Sequence, residues 1–334
     1  MADIIILGAG GFGLSIAILC AQAGHNVTVW ARSREKLDEI RETGEFKAKL
    51  PGCKVPESVR LTDDISEVKG KDIAVFCVPT AGTRGVCEQA AKFIDPKTVV
   101  VNTAKGLETG SLKTIDVVTK EALPNNPVAI LTGPSHAEEV ARGIPTTVVV
   151  ASDDISVSRY VQQTMTSANF RIYSNADVLG CELGGSLKNV IALAAGVCDG
   201  LGLGDNTKAA LMTRGIREIA ALGEAMGADP ATFAGLSGIG DLIVTCCSMH
   251  SRNRRAGILI GEGVTPQEAV ERVGTVEGYG CTKNAYALAK KLGVEMPITE
   301  QLYAILFEGS KPADSIKKLM SRPSKNETEK DFLG

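Results

Sequence analysis

The 334-residue sequence has no long apolar runs and no excess of charge of one sign. We find no apolar run that approaches the ~20 residues a membrane-spanning helix needs. Acidic and basic residues are spread along the chain and leave a net charge of −3. This balance gives no reason to expect binding to nucleic acid or insertion into a membrane. Internal repeats and low-complexity segments are missing as well.

The nine cysteines form no Cys-x-x-Cys motif, and their number is odd. The adjacent pair Cys246 and Cys247 would make a strained disulfide. Such usage is typical of a reduced cytosolic protein whose cysteines serve as small core residues. We therefore expect a cytoplasmic protein.

A glycine turn near the start organises the rest of the chain. The apolar residues 4–7 predict a buried strand rather than a signal sequence, because no basic segment precedes them. Gly8, Gly10 and Gly13 follow with G-x-G-x-x-G spacing, and residues 14–23 predict a helix. Gly8 permits the sharp turn, Gly10 lets the backbone approach a diphosphate, and Gly13 lets the helix pack close to the strand. Strand, turn and helix together predict a dinucleotide-binding site.

The residues after the second predicted strand (26–30) indicate which coenzyme is bound. An acidic residue there would bind the ribose 2′-hydroxyl of NAD, whereas arginine accommodates the 2′-phosphate of NADP. No acid precedes Glu35, and Arg32 stands in its place. We therefore expect NADPH, with NADH as a second possibility, and Arg32 as the contact. Arg34 either supports Arg32 or begins the solvent face of a helix over 35–43.

Strand and helix patterns alternate as far as residue 174 and then stop. The length and the 44% hydrophobic content favour two domains. We predict an α/β fold, with a Rossmann-type doubly wound domain over 1–178 and an all-α substrate domain over 179–334. Further strands are predicted at 72–78, 98–102, 128–132, 146–151 and 170–173. Helices are predicted at 63–68, 83–93, 111–122, 155–165, 187–195, 208–226, 285–292 and 298–307, with 45–60 irregular and the tail from 322 loosely held.

Lys188 is the sharpest candidate for acid–base chemistry. It lies in an apolar segment that predicts the start of a long helix. Burying an ammonium group is costly, and partial burial lowers its pKa into a useful range. The alternative is a lysine at a helix edge whose ammonium reaches solvent. The neighbouring Asn189 could order a substrate hydroxyl.

The three histidines are weaker candidates. We expect His25 to be a surface turn residue. His136 lies in the loop 133–137, where it either serves a ligand or caps the following helix. His250 lies in a polar loop.

A second polar group follows in the helical half. Asp241 adjoins glycines and can orient Lys188 or accept from a substrate hydroxyl. Ser251, Arg252 and Asn253 offer a hydroxyl, a guanidinium and an amide, a suitable set for a small phosphate. One of the next two arginines, 254 or 255, fits a solvated helix start.

The whole chain resembles bacterial NAD(P)-dependent glycerol-3-phosphate dehydrogenases. The resemblance rests on six motifs in the family's order: the glycine turn, 102–106, 133–137, 183–196, 238–245 and 251–257. It implies reversible reduction of dihydroxyacetone phosphate to sn-glycerol 3-phosphate, which supplies glycerophospholipid synthesis, without a metal ion and commonly in a homodimer. This chain departs at Gly11, Phe12 and Ser186, where the family often has Ser, Trp or Tyr, and Ala.

The resemblance also implies roles for individual residues. Lys188 would be the catalytic acid and base. The substrate would be surrounded by Lys105, Gly133, Ser135, Lys188, Asp241, Ser251, Arg252 and Asn253. The coenzyme would be lined by Gly8, Gly10, Gly11, Phe12, Gly13, Arg32, Lys105, Ala137, Arg252, Val276 and Glu277.

Two other functions fit parts of the pattern. A β-hydroxyacid dehydrogenase or ketopantoate-type reductase would use a similar fold and lysine, with Arg252 on a carboxylate. A dinucleotide-sensing regulator would use the glycine turn but would have no use for Lys188.

Overall fold

The computed structural model describes residues 1–324 and 326–327. Most of the predicted loosely held tail therefore lies outside the described residues. The described chain has a mostly parallel sheet with helices on both faces, followed by a helical part. The predicted fold class is confirmed.

The sheet contains eight strands: β1 (Asp3–Leu7), β2 (Asn26–Trp30), β3 (Arg60–Thr62), β4 (Ile73–Phe76), β5 (Val99–Asn102), β6 (Val128–Thr132), β7 (Thr146–Ala151) and β8 (Phe170–Asn175). Their spatial order is β3-β2-β1-β4-β5-β6-β7-β8. Neighbours are parallel except β6 and β7, which are antiparallel. The sequence pattern does not predict β3, because three residues are too few to show a period. Arg60 begins this strand instead of ending the irregular segment 45–60.

The central strand β1 is buried on both faces. Ile4 and Ile6 belong to the core on one side of the sheet, and Ile5 and Leu7 to the core on the other. Each of these side chains is fully buried, which stabilises the fold by about 1.5–3 kcal/mol per residue. The strand therefore reads as one continuous apolar run, as expected for a parallel sheet covered by helices.

The helices around the sheet are α1 (Gly11–Gln22), α2 (Arg34–Thr43), α3 (Thr80–Ala90), α4 (Ile115–Ala122), α5 (Ala137–Ala141) and α6 (Ile155–Met165), with a 3₁₀ turn at Ile65–Val68. Three of these helices begin three or more residues away from the predicted start, and the first of them, α1, begins at Gly11 instead of residue 14. Helix α3 begins at Thr80, directly after Pro79, and α4 begins only at Ile115. A helix after His136 was expected, but the bounds of the short α5 were not predicted.

The helical part comprises α7 (Val178–Gly200), α8 (Asp205–Ala225), α9 (Asp241–Cys247), α10 (Arg252–Gly261), α11 (Pro266–Val273), α12 (Glu277–Leu292), α13 (Pro297–Phe307) and α14 (Pro312–Met320), with a 3₁₀ helix at Pro230–Ala234 and a π-helical turn at Leu236–Gly240. Helices α9, α11 and α14 were not predicted, and α10 was predicted only as a helix start near the arginines at 254 and 255. The domain division at residue 178 stays a prediction.

Helix α7 is the core of the helical part and is longer than predicted. It starts where the side chain of Asp177 accepts a hydrogen bond from the Gly180 N–H at 2.9 Å. By length and composition it could cross a membrane, so the expectation that no segment approaches that length was wrong. However, 94% of its apolar window is buried inside the protein. Neighbouring helices cover it on all sides, which explains its uniformly apolar sequence.

Helices α7 and α10 approach each other through glycines. A Cβ atom added to Gly257 of α10 would lie 2.1 Å from the Leu193 carbonyl oxygen of α7. One added to Gly196 of α7 would lie 2.1 Å from the Arg254 carbonyl oxygen. The close approach fixes the start of α10 relative to the middle of α7, where Lys188 lies.

Candidate active site

The glycine turn joins β1 to α1 at the carboxyl edge of the sheet. Gly8 has a φ of +129°, and a Cβ atom there would lie 2.4 Å from the Cys77 carbonyl oxygen. A Cβ atom on Gly13 would lie 1.9 Å from the Gly8 carbonyl oxygen. Gly10, by contrast, faces open space, with none of the described atoms within 4 Å of an added Cβ. This cradle and the free amides at the start of α1 fit a dinucleotide diphosphate.

Two matched alanine variants separate the packing role of Gly13 from the proposed diphosphate-binding role of Gly10. Gly13→Ala should lower the thermal midpoint of the unliganded protein, because the methyl group collides with backbone. Gly10→Ala should leave that midpoint within about 1 °C but weaken NADPH binding by ~10-fold or more, because the methyl group occupies the space for the diphosphate. Thermal unfolding and NADPH fluorescence titration measure the two effects. Undiminished NADPH binding by Gly10→Ala would contradict the assignment of this cradle.

Other predicted coenzyme residues lie around the turn. A Cβ atom on Gly11 would lie 3.5 Å from that of Ala137, and 2.9 Å from the carbonyl oxygen of Lys49. Phe12 packs against the core beneath the turn. Arg32 is exposed in the loop after β2. Because Lys49 approaches so closely, the serine that the family often carries at Gly11 would not fit here without a backbone shift.

Lys188, Asp241 and Lys105 form a buried charge cluster. Lys188 Nζ donates to Asp241 Oδ1, and also to Thr245 Oγ1 at 2.9 Å. Lys105 Nζ donates to the other carboxylate oxygen of Asp241 at 2.8 Å and to the Gly133 carbonyl oxygen at 3.0 Å. The exposed fractions of the Lys188, Asp241 and Lys105 side chains are 7%, 1% and 17%. The cluster joins helices α7 and α9 to the loops after β5 and β6.

The environment of the cluster lowers the pKa values of both Lys188 and Asp241. Burial lowers the pKa of Lys188 to about 8, although the charge of Asp241 opposes this. Burial also opposes ionisation of Asp241, but Lys105 and Lys188 outweigh it and hold the pKa of that carboxyl below its usual range. Lys188 can therefore gain and lose a proton near neutral pH beside a fixed carboxylate. A lysine whose ammonium reaches solvent is excluded.

The sequence predicted Lys188 at the start of a helix, but it lies in the interior of α7. Gly184 and Gly185 look like helix breakers but belong to the helix. A Cβ atom on Gly184 would lie 2.6 Å from the Ser237 carbonyl oxygen, and one on Gly185 would lie 2.3 Å from Thr132 Oγ1. These glycines let α7 pass close to the sheet and to the π-helical turn.

The residues predicted to bind a phosphate lie at the start of α10. Ser251 is the N-cap, and its Oγ accepts from the Arg254 N–H at 3.2 Å. Arg252 is exposed. Asn253 is buried and holds the structure together: it donates to Asn189 Oδ1 at 2.9 Å and accepts from the Gly278 N–H at 2.8 Å.

The two arginines that follow have different environments. Arg254 pairs with Asp199 at 2.7 Å, whereas Arg255 is exposed, so the interpretation of one of them as solvated holds for Arg255.

The start of α12 closes the other side of the cluster. Val276 is buried at the N-cap, and Glu277 accepts from Asn189 Nδ2 at 3.2 Å. Burial raises the pKa of Glu277, and the charge of Arg252 opposes this. Asn189 also accepts from Asn253, so hydrogen bonds link Glu277 to the residue next to Arg252. Arg252 and Glu277 are both predicted to line the coenzyme.

Sequence reasoning missed Thr245. Its hydroxyl accepts from Lys188 and donates to the Asp241 carbonyl oxygen at 2.6 Å. The signal available was its spacing of four residues from Asp241, which places both on one face of a helix.

The histidines differ from expectation in two cases. The prediction of His25 as a surface turn residue was wrong, because its half-buried ring accepts from the Ala2 N–H and lies 2.8 Å from the Thr164 carbonyl oxygen. His136 occupies the N-cap position of α5, but its side chain makes no capping hydrogen bond, so the capping interpretation was wrong. His250 is exposed, as expected of a polar loop.

Comparison with known proteins decides the family. Models of the N-terminal and C-terminal parts of NAD-dependent glycerol-3-phosphate dehydrogenase match residues 3–158 and 177–317. The glycerol-3-phosphate dehydrogenase (NAD(P)+) of Moorella thermoacetica is 51% identical over 98% of this chain and 98% of its own length. The Fusobacterium nucleatum enzyme is 49% identical over 98% and 99%. This chain belongs to the NAD-dependent glycerol-3-phosphate dehydrogenase family. It is an oxidoreductase with NAD(P) as its coenzyme.

Solved structures agree with the family. The glycerol-3-phosphate dehydrogenase of Coxiella burnetii superposes with a TM-score of 0.92 at 37% identity, over 96% of this chain and 99% of that one. A ketopantoate reductase from Ralstonia eutropha has a TM-score of 0.59 at 17% identity, over 94% and 99%, and shares the fold alone.

Proposed function

We propose that this family member reduces dihydroxyacetone phosphate reversibly to sn-glycerol 3-phosphate, with Lys188 as the general acid and base. The observation that carries the proposal is the buried Lys188–Asp241 pair. It lies next to Asn189, which accepts a hydrogen bond from Asn253 in the first turn of α10. When bound, the coenzyme supplies the hydride. Lys188 Nζ gives a proton to the carbonyl oxygen during reduction and takes it back from the hydroxyl during oxidation.

Other charged and polar residues are proposed to bind different parts of the substrate. Asp241 holds the ammonium group of Lys188 in place, and Lys105 adds a second positive charge beside it. The amides at the start of α10, with Ser251 and the guanidinium of Arg252, suit the substrate phosphate. Gly133, Ser135 and Asn253 complete the proposed substrate contacts. The proposed coenzyme contacts are Gly8, Gly10, Gly11, Phe12, Gly13, Arg32, Lys105, Ala137, Arg252, Val276 and Glu277.

Four wider proposals accompany this one. Residues 1–178 and 179–334 would be the dinucleotide-binding and substrate domains, because Lys105 comes from the first range and Lys188 and Asp241 from the second. A cytoplasmic location is supported by nine free cysteines. A role in glycerophospholipid supply and a homodimer follow from the family resemblance.

The test follows NADPH absorbance with purified protein and dihydroxyacetone phosphate, with dihydroxyacetone and ketopantoate as controls. Rapid oxidation with the phosphorylated ketone, and at most slow oxidation with the two controls, is the expected result. Oxidation with ketopantoate instead would overturn the substrate but keep the fold and the lysine. No oxidation with any of them would favour a dinucleotide sensor.

Arg32 should set the coenzyme preference. Arg32→Asp replaces a cation near the 2′-phosphate with a carboxylate that can accept from a 2′-hydroxyl. The ratio of kcat/KM for NADPH to that for NADH should fall by ~10-fold or more. The matched control is Arg34→Asp, two positions on, where the exposed guanidinium pairs with Asp63 at 2.8 Å. A preference changed equally by both variants would mean that Arg32 has no specific contact with the coenzyme.

A further inference from the structure

His136 carries a buried ring nitrogen without a hydrogen-bond partner. Its Nε2 is shielded from solvent, and none of the described groups bonds to it. Native proteins satisfy nearly all buried polar atoms, so an unpaired one needs an explanation. The side chain does not cap α5, which removes the ordinary structural explanation. A partner that arrives with a ligand would supply the missing bond.

The position of the His136 ring indicates which ligand would supply this hydrogen bond. His136 follows Gly133 by three residues, and the Gly133 carbonyl oxygen accepts from Lys105 of the charge cluster at 3.0 Å. On another side, the ring of His250 lies 5.6 Å away, centroid to centroid. His250 directly precedes Ser251, the N-cap of α10. The His136 ring therefore lies in a loop that contacts the charge cluster and packs beside the residue that precedes the N-cap of α10.

The surroundings keep this imidazole neutral in the absence of ligand. Burial and the positive charge of Lys188 lower the pKa of His136, while the carboxylates of Glu138, Glu139 and Asp241 oppose them. The side chain of His250, 46% exposed, lies 4.0 Å from Glu138 and faces the solvent side. A neutral imidazole retains one N–H donor. A phosphate dianion beside it would accept that hydrogen bond and favour protonation of the ring.

We propose that His136 is a further substrate-binding residue, whose Nε2–H donates a hydrogen bond to the phosphate of the phosphorylated ketone. The proposal rests on the proposed function, because it assumes that the phosphate binds near the start of α10. It adds a contact from the N-cap residue of α5 to those at the start of α10, so that two segments of the chain hold the phosphate.

The kinetic test compares two variants. His136→Phe keeps a ring but loses the donor, and should raise KM for dihydroxyacetone phosphate by ~10-fold or more. Its kcat/KM for unphosphorylated dihydroxyacetone should change by less than about 2-fold. His136→Gln, whose amide reaches a similar position, should recover most of the loss. Equal losses on both ketones, or an unchanged KM, would overturn the proposal.

A binding test on the parent chain does not depend on turnover or on a variant's folding. The chain has three histidines, so their ring signals can be followed by NMR during titration with inorganic phosphate at saturating NADP+. The pKa of His136 should rise by ~1 unit, because the bound anion favours the charged ring. The ring signals of His25, held by Ala2 and Thr164, should not respond to phosphate. An unmoved His136 would overturn the proposal. A parent enzyme inert towards dihydroxyacetone phosphate would instead refute the proposed function.

Discussion

Lys188→Ala should lower kcat for dihydroxyacetone phosphate by ~10²–10⁴-fold, the range that general acid–base groups contribute. The variant loses the only buried ammonium that our proposal assigns to proton transfer. Asp241 keeps Lys105 as a partner, so the variant should fold. NADPH affinity should change by less than about 3-fold, because the cradle between β1 and α1 is untouched. Steady-state kinetics and NADPH fluorescence titration measure both quantities.

The matched control is Lys208→Ala, which also removes a largely buried, ion-paired lysine from the helical part. Lys208 pairs with Asp199 at 2.6 Å and has a side chain 15% exposed. Its loss should reduce stability without a comparable loss of kcat. Near-normal turnover in Lys188→Ala, or equal losses in both variants, would remove Lys188 from the mechanism.

Asp241→Asn should be the second most damaging substitution. It leaves the ammonium groups of Lys105 and Lys188 side by side without a carboxylate between them. Loss of a close opposite charge lowers the pKa of a lysine by ~1–3 units. Less Lys188 would then carry its proton at pH 8, and kcat for reduction should fall by ~10-fold or more. The decline of the rate with rising pH should begin at a correspondingly lower pH.

Asp199→Asn provides the control for that variant. Asp199 also pairs with two cations, Arg254 and Lys208, in the helical part. Its loss should lower the thermal midpoint but leave the pH profile in place. A pH profile unchanged in Asp241→Asn would show that the carboxylate does not control the protonation of Lys188.

The coenzyme cradle could be predicted because its parts are contiguous. Strand, glycines and helix follow each other within residues 3–22, and each glycine has a local steric reason. The strands β4 to β8 were predicted for a similar reason, since buried parallel strands are short apolar runs between breakers. Strand β3 was not predicted, because its three residues are too few to show a pattern.

The catalytic cluster could not be derived from local patterns. Lys188 and Asp241 are 53 residues apart, and Lys105 and Asp241 are 136 residues apart. Only tertiary packing brings them together. The sequence offered Lys188 as a candidate and the orientation of Lys188 as one of two roles for Asp241, and the family resemblance added Lys105. The π-helical turn that presents Asp241 also depends on packing: a Cβ atom on Gly238 would lie 2.1 Å from the Phe233 carbonyl oxygen.

Helix α7 shows where propensity misleads. Glycine disfavours helix interiors by about 1 kcal/mol relative to alanine, which placed the predicted start after Gly184 and Gly185. Close contacts with the sheet and the π-helical turn require glycine at both positions and outweigh that cost. His136 illustrates the converse, because its place at a helix start suggested a cap that the side chain does not form.

The central claim is that Lys188 exchanges its proton with the substrate oxygen, and the pH dependence of kcat in both directions tests it most directly. Reduction needs protonated Lys188, and oxidation needs the neutral amine. Because the pKa of Lys188 lies near 8, kcat for reduction should fall above about pH 8 and kcat for oxidation should rise towards the same pH. In Asp241→Asn, the fall of kcat for reduction and the rise of kcat for oxidation should both occur at lower pH. Flat profiles from pH 6 to 10, or limbs of the same sign in both directions, would contradict the account.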